Sequence, residues 1–335
     1  MTAQPWRMSA GRMEAVMKSR VVMMLITASL AAATALAQIP AGGVVTTGEA
    51  PATPCGVTPA CTSGLQVRSF MQTCGTITAP DGSKWELPAP IADGPAAVDI
   101  YNDCTGQGDN PNYLEQVKTV VIDPDGVEIT GYIFADNYYE LWVNGKFIAR
   151  DSLGMTPFNS TIVRFKAKYP ITYAVKAVDW DTHPGIGMEY DRYNVGDGGF
   201  IARFSDGTVT GSHWKVETFY IAPLGDPSCV KVNNGRDSTG CPAEKRRGGN
   251  KAPCGLADPQ TCKALLFKIP DDWTAPNFDD SDWANATLYT ADQVTGTPGY
   301  RRHADLFDPA RFIWTRNLLL DNLVLARYTV NAPPN

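Results

Sequence analysis

Between residues 65 and 330 the chain repeats one texture. Short runs of β-branched and aromatic residues alternate with Gly, Pro, Asn and Asp, and a helical period is nearly absent. The runs at 118–122, 129–134, 138–143, 161–165, 171–180 and 200–204 read as strands. The clearest local element is a hairpin. Asn144-Gly145 separates two strand-like runs and suits a two-residue type I′ turn, whose central residues both need positive φ. That turn pairs Val143 with Lys146, Trp142 with Phe147 and Leu141 with Ile148. Trp142 and Phe147 then form an aromatic pair on one face, with Leu141 and Ile148 on the other. Aromatics at 10% and 25 prolines fit the same all-β reading, a β-sandwich.

The two ends of the pattern differ from its middle. Lys18 and Arg20 precede an apolar stretch at 21–36 that closes on Ala35-Leu36-Ala37, the form of a cleaved secretory signal spanning 1–37. Met13 or Met17 would begin a more ordinary signal. The apolar stretch is shorter than the ~20 residues a spanning helix needs, and no membrane span is expected after cleavage. Residues 38–64, rich in Ala, Gly, Pro and Thr, read as a flexible leader. Residues 65–335 form the β domain, with an N-terminal extra segment at 65–117 and a cysteine-rich surface insertion at 225–262. The insertion carries a basic run at 245–249, read as a solvated loop tip.

All eight cysteines lie beyond the signal, which favours disulfides in an exported chain. Zinc spacing is lacking: there is no C-x-x-C, and the three histidines lie far from any cysteine pair. Sequence order suggests Cys55–Cys61, Cys74–Cys104, Cys229–Cys241 and Cys254–Cys262. A net charge of −6 argues against a nucleic-acid partner, which needs a basic face. The location implied is secreted or extracytoplasmic, in a periplasm or at a cell surface.

Several segments are similar to galactose-binding-like jelly-roll modules appended to bacterial glycoside hydrolases. Asp136 to Gly145 resembles their central strand pair, and Ile171 to Asp179 their buried strand. Gly198 to Phe204, Gly207 to Thr210 and Trp214-Lys215 resemble the strands that follow. Trp273, Phe278 to Trp283 (close to F-D-D-S-x-W), Phe312 to Trp314 and Asp321 to Arg327 complete the series. In many members the segments resembling Ile313-Trp314 and Arg327-Tyr328-Thr329 precede the hairpin, whereas here they follow it. The resemblance implies a galactose-binding-like jelly roll and an association with carbohydrate. Phe278 and Trp283 are expected to plug the sandwich, with Asp279, Asp280 and Asp282 at the surface or in the turn.

No catalytic set is found: there is no nucleophile elbow and no nucleophile beside a base. The favoured ligand-binding segment is the polar loop at 179–197. Asp179, Trp180, Asp181, His183, Glu189, Tyr190, Asp191 and Tyr193 offer carboxylates beside rings, which suits sugar. The same residues also fit an ordinary solvated loop, or a paired-carboxylate hydrolase using Asp179, Asp181 or Glu189. Asp99, Asp103 and Asp109 form an oxygen-rich segment that suits either a structural Ca²⁺ or an acidic turn. No other cofactor is implied. N-x-[ST] sequons occur at Asn159 and Asn285. The leading expectation is a non-catalytic protein that binds carbohydrate or a cell-surface glycan. A structural envelope protein and a carbohydrate-active hydrolase stand as alternatives.

Overall fold

The structure, a computed structural model, describes residues 39–55, 73–103, 106–153, 159–188, 195–243, 254, 257–294 and 298–332. The expected signal, Cys61, Cys104, residues 189–194 and the basic run at 245–249 lie outside the described residues.

Two eight-stranded sheets pack face to face as a β-sandwich. In sheet I the strands run in the order Gly43–Thr47, Lys263–Phe267, Lys215–Leu224, Asp321–Val330, Ile171–Val178, Tyr138–Val143 and Lys146–Arg150, with Ala284–Asn285 paired to Lys215–Leu224 off this path. In sheet II the order is Thr287–Tyr289, Phe312–Trp314, Gly199–Phe204, Val127–Asp136, Asn159–Ala167, Val98–Asn102 and Gly108–Asp109. A third, three-stranded sheet (Ala52–Pro54, Thr73–Thr78, Lys84–Leu87) accompanies them. All the expected strand runs contain strands, with the run at 118–122 reduced to Thr119–Val121, parallel to Asn159–Ala167, and the run at 171–180 ending at Val178.

The hairpin forms as its turn residues require. Asn144 and Gly145 adopt φ of 49° and 78°, and Val143 pairs with Lys146 and Trp142 with Phe147. The third pair differs: a bulge between Phe147 and Ala149 sets Leu141 opposite Ala149 instead of Ile148. A methyl group at Gly145 would meet nothing closer than 3.7 Å, so its cost is conformational alone. Gly145→Ala is therefore expected to lower stability by about 1 kcal/mol, measurable by urea denaturation. An unchanged midpoint would mean that the turn relaxes to another form.

Strand alternation sorts side chains into two layers. From Ile171–Val178, Tyr173, Val175 and Ala177 point between the sheets, where they meet Phe165, Phe200, Phe204 and Trp214. Ala174 and Val178 point to the other face of sheet I and are equally buried, in a second core with Leu323, Leu325, Phe219 and Leu265. Each large apolar side chain so enclosed contributes roughly 1.5–3 kcal/mol. Sheet I is therefore the middle layer, and the segments that cover its outer face shape the surface above it.

Buried charged side chains on that outer face hold the cover. Lys176 pairs with Glu140 directly across the strands at 2.7 Å and donates to the Pro90 carbonyl. Arg327 pairs with Asp280 at 2.8 Å and donates to the carbonyls of Trp273 and Ala275. Glu217 accepts the Arg236 amide at 3.1 Å. Each charge gains the partner that burial demands, and each fixes one covering segment.

The cover corrects several expectations. The supposed flexible leader is ordered over its described part: Gly43–Thr47 is an edge strand on Lys263–Phe267, and Ala52–Pro54 pairs with Thr73–Thr78. That pairing sets Thr53 opposite Cys74, so Cys55 bonds Cys74 and neither Cys61 nor Cys104 is its partner. Cys229–Cys241 and Cys254–Cys262 form as expected. The described part of the insertion packs down instead of standing off: Val230 and Ser238 are buried, and the Ser238 hydroxyl donates to Asp321 at 2.7 Å. The described part of 65–117 supplies strands to sheet II and to the third sheet. Phe278 and Trp283, expected inside the sandwich, lie instead at the outer core, Trp283 buried and Phe278 half-buried with rings 5.5 Å apart, while Asp279 accepts the Ser281 amide of the turn.

Candidate functional site

The loop favoured by the sequence does not present a binding surface over its described part. Trp180 is 1% exposed, its indole Nε1 donates to the Thr73 carbonyl at 2.9 Å, and its ring sits edge-on to Tyr138. No ring face is left for a sugar. The reason is local: the Trp180 amide donates to Asn137 Oδ1, which draws the chain inward after the strand ends. Asp181 accepts from Tyr220 Oη at 2.5 Å and from Asn322 Nδ2 at 2.6 Å, a structural tie between strands. Burial beside that carboxylate pushes the Tyr220 phenol well above its ordinary range. Asp179 is buried, and its amide donates to the Asn322 carbonyl. His183 is half-buried and faces Glu49 at 2.8 Å. Glu189, Tyr190, Asp191 and Tyr193 lie outside the described residues.

The oxygen-rich segment is likewise satisfied by protein. Asp99 accepts from Asn102, Ser152 and Asn159. Asp109 takes bidentate bonds from Arg302 and one from His303, and the guanidinium holds its carboxyl below the usual range. Asp103 is nearly buried. The three do not converge, and among the described residues no group of three His, Cys, Asp or Glu side chains is placed to hold a metal. Of the two sequons, Asn159 is buried, its amide donating to Asp99 and Asp151, and Asn285 is exposed.

A cleft of about 620 Å³ opens elsewhere, over the outer face of sheet I. One wall is the arm formed by Lys84–Leu87 and the residues that follow it to Ala92. In this strand Trp85 and Leu87 share one face and Lys84 and Glu86 the other, with both charged side chains exposed. Asp81 begins the turn before it, accepting from the Ser83 amide and hydroxyl, and Ser83 Oγ in turn accepts the Trp85 indole N–H at 2.8 Å. The strand Tyr138–Val143 supplies Trp142, held in edge-on contact with Phe147 and Trp273 at 5.1 and 5.0 Å. Residues 268–273 close the cleft with Lys268, Asp271 and Trp273.

Below these rings lies the Lys176–Glu140 pair. Glu140 Oε1 accepts from the Ala92 amide at 2.8 Å and from Tyr138 Oη at 3.0 Å, while Lys176 donates to Pro90. The pair thus grips both ends of the arm's last turn. Burial lowers the Lys176 pKa, an effect opposed by the adjacent carboxylate. A Gly at 94 completes the packing, since a Cβ there would come within 2.2 Å of the Phe147 ring. The result is a cleft with aromatic walls, a floor of Phe219, Leu266 and Leu323 interrupted by Lys176, and a rim of mixed charge. It can stack flat apolar faces and hydrogen-bond their polar edges.

Trp142, Trp273 and the hairpin were visible in the sequence as fold elements, and only the structure brings them to one cleft with Trp85. The one available signal was that Trp85 stands in an alternating strand beside a proline-rich turn, Pro88 and Pro90. No protein-family model, curated protein or solved structure matches this chain.

Proposed function

We propose that this chain is a secreted or surface-associated, non-catalytic carbohydrate-binding protein, and that its site is the aromatic cleft over sheet I. The observation that carries this reading is the convergence of the half-buried Trp85 and Trp142, backed by the buried Trp273, on one cavity with a polar rim. A pyranose ring has an apolar C–H face and a hydroxyl edge, and this lining complements both. Lys176, the buried titratable group in the cleft lining, is tied internally to Glu140, which suits binding better than acid–base chemistry. Three disulfides support an oxidising compartment. No helix among the described residues is long and apolar enough to cross a membrane. The galactose-binding-like jelly roll is the architecture we propose for the sandwich, supported by the ordered series of motifs on its strands.

Affinity electrophoresis and a glycan array test this on the chain from Gln38 onward. Saturable retention by at least one polysaccharide is expected, weakened about tenfold or more by Trp142→Ala and by Trp85→Ala. Near-ultraviolet circular dichroism checks that the variants fold. No retention by any polysaccharide overturns the proposal. Retention that survives both substitutions moves the site away from the cleft.

A further inference from the structure

The arm that walls the cleft also borders a second cavity, of about 440 Å³. The two hollows share Glu86, Leu87, Ile91 and Ala92, so they adjoin along one segment. Their chemistry differs. The first is walled by indoles, whereas the second presents Thr76, Asp93 and Arg150 beside the exposed Glu86. A guanidinium carries five N–H donors. Among the described hydrogen bonds the Arg150 guanidinium makes one, to the neighbouring Asp151 carbonyl at 3.2 Å. The guanidinium, the Asp93 carboxylate and the Thr76 hydroxyl form a donor and acceptor set suited to vicinal hydroxyls.

A single sugar unit needs only the aromatic cleft. The polar hollow next to it gives a second unit somewhere to go. Resting on the carbohydrate reading above, we propose that the ligand is an extended neutral oligosaccharide occupying both hollows. It crosses the arm at Glu86, with ring faces in the tryptophan cleft and the hydroxyls of the following units on Arg150, Asp93 and Thr76. The mixed signs in both hollows match a neutral chain better than a polyanion, which the net charge of −6 would also repel.

Isothermal titration with β-1,4-linked gluco-, manno- and xylo-oligosaccharides of one to six units tests chain length directly. Affinity is expected to rise about tenfold or more between the shortest unit that binds and the longest, the gain of one or two charge-assisted hydrogen bonds. Arg150→Ala and the near-isosteric Asp93→Asn are each expected to shrink that ratio severalfold. Affinity independent of length overturns the two-hollow proposal and leaves the cleft reading standing. A length dependence that both variants retain in full also overturns it. If no oligomer of any length binds and no polysaccharide is retained, the carbohydrate reading fails and this inference with it.

Discussion

Lys176→Met is expected to lower the unfolding free energy by about 3–5 kcal/mol, the cost of leaving a buried charge without its partner. The structure supplies the conditions for the full effect. Glu140 is wholly enclosed and Lys176 nearly so, and they face each other across the strands at 2.7 Å. Methionine fills much of the lysine stem's volume, so the loss comes from the charge and not from a cavity. The carboxylate keeps the Ala92 amide and the Tyr138 hydroxyl, while the Pro90 carbonyl loses its donor. One wall of the cleft is then released, and glycan binding should weaken with stability. Glu140→Gln combined with Lys176→Met is expected to recover most of the lost stability, because no unpaired charge remains. Urea denaturation of the four proteins of this cycle decides it. A single-variant cost below about 1 kcal/mol would show that water reaches the pair.

The second large effect is the dependence of stability on pH. Burial pushes the Asp151 carboxyl up to about 8, against the lowering effect of the Asn159 and Leu153 donors. It pushes Asp321 up to about 7, against those of Thr315 and Ser238. In the unfolded chain both titrate near about 3.9. Between those values the native protein holds protons that the unfolded chain has released. Stability is therefore highest near the unfolded value and falls as pH rises through about 7 and 8. The two groups together account for roughly 8 kcal/mol between pH 4 and 8. Exposed carboxylates held below their usual range, such as Asp81 and Asp125, act in the opposite sense. Their contribution is present above the unfolded value and lost as pH falls through their native values, which sets an acid limit. Thermal unfolding from pH 4.5 to 8 should show a falling midpoint. Asp151→Asn, whose amide oxygen can still accept from Asn159 and Leu153, should flatten that slope. A midpoint that stays level or rises across this range, or a slope that Asp151→Asn leaves unchanged, would reject the assignment.

How much of this could be read from the sequence follows from what each feature depends on. Strand periodicity and the Asn144-Gly145 turn are local, and both appear as expected. The Ile148 bulge was not readable, because Phe147-Ile148-Ala149 is a continuous apolar run with no alternation for an extra residue to break. Lys176 and Arg327 lie inside strands, where sequence alone gives no sign that both faces of sheet I are covered. The same gap hid the burial of Trp180. Trp180 looked exposed because it precedes a polar loop, yet its amide and indole both bond inward. Cys55 found Cys74 through strand pairing across residues 56–72, which sequence order cannot anticipate. Trp85, Trp142 and Trp273 come from three separate segments, and no spacing rule connects them.

The double burial of sheet I also bears on how this protein can diversify. Ile171–Val178 has no solvent-facing position, so a substitution anywhere along it meets packed neighbours. The arm at Lys84–Leu87 is different: its two charged side chains are exposed, while Leu87 and the Glu140–Lys176 grip anchor it. Under the proposed carbohydrate reading, variation in ligand preference has a place to accumulate without disturbing the scaffold. Related chains could share one sandwich and differ in the arm, as tools share a handle and differ in the blade.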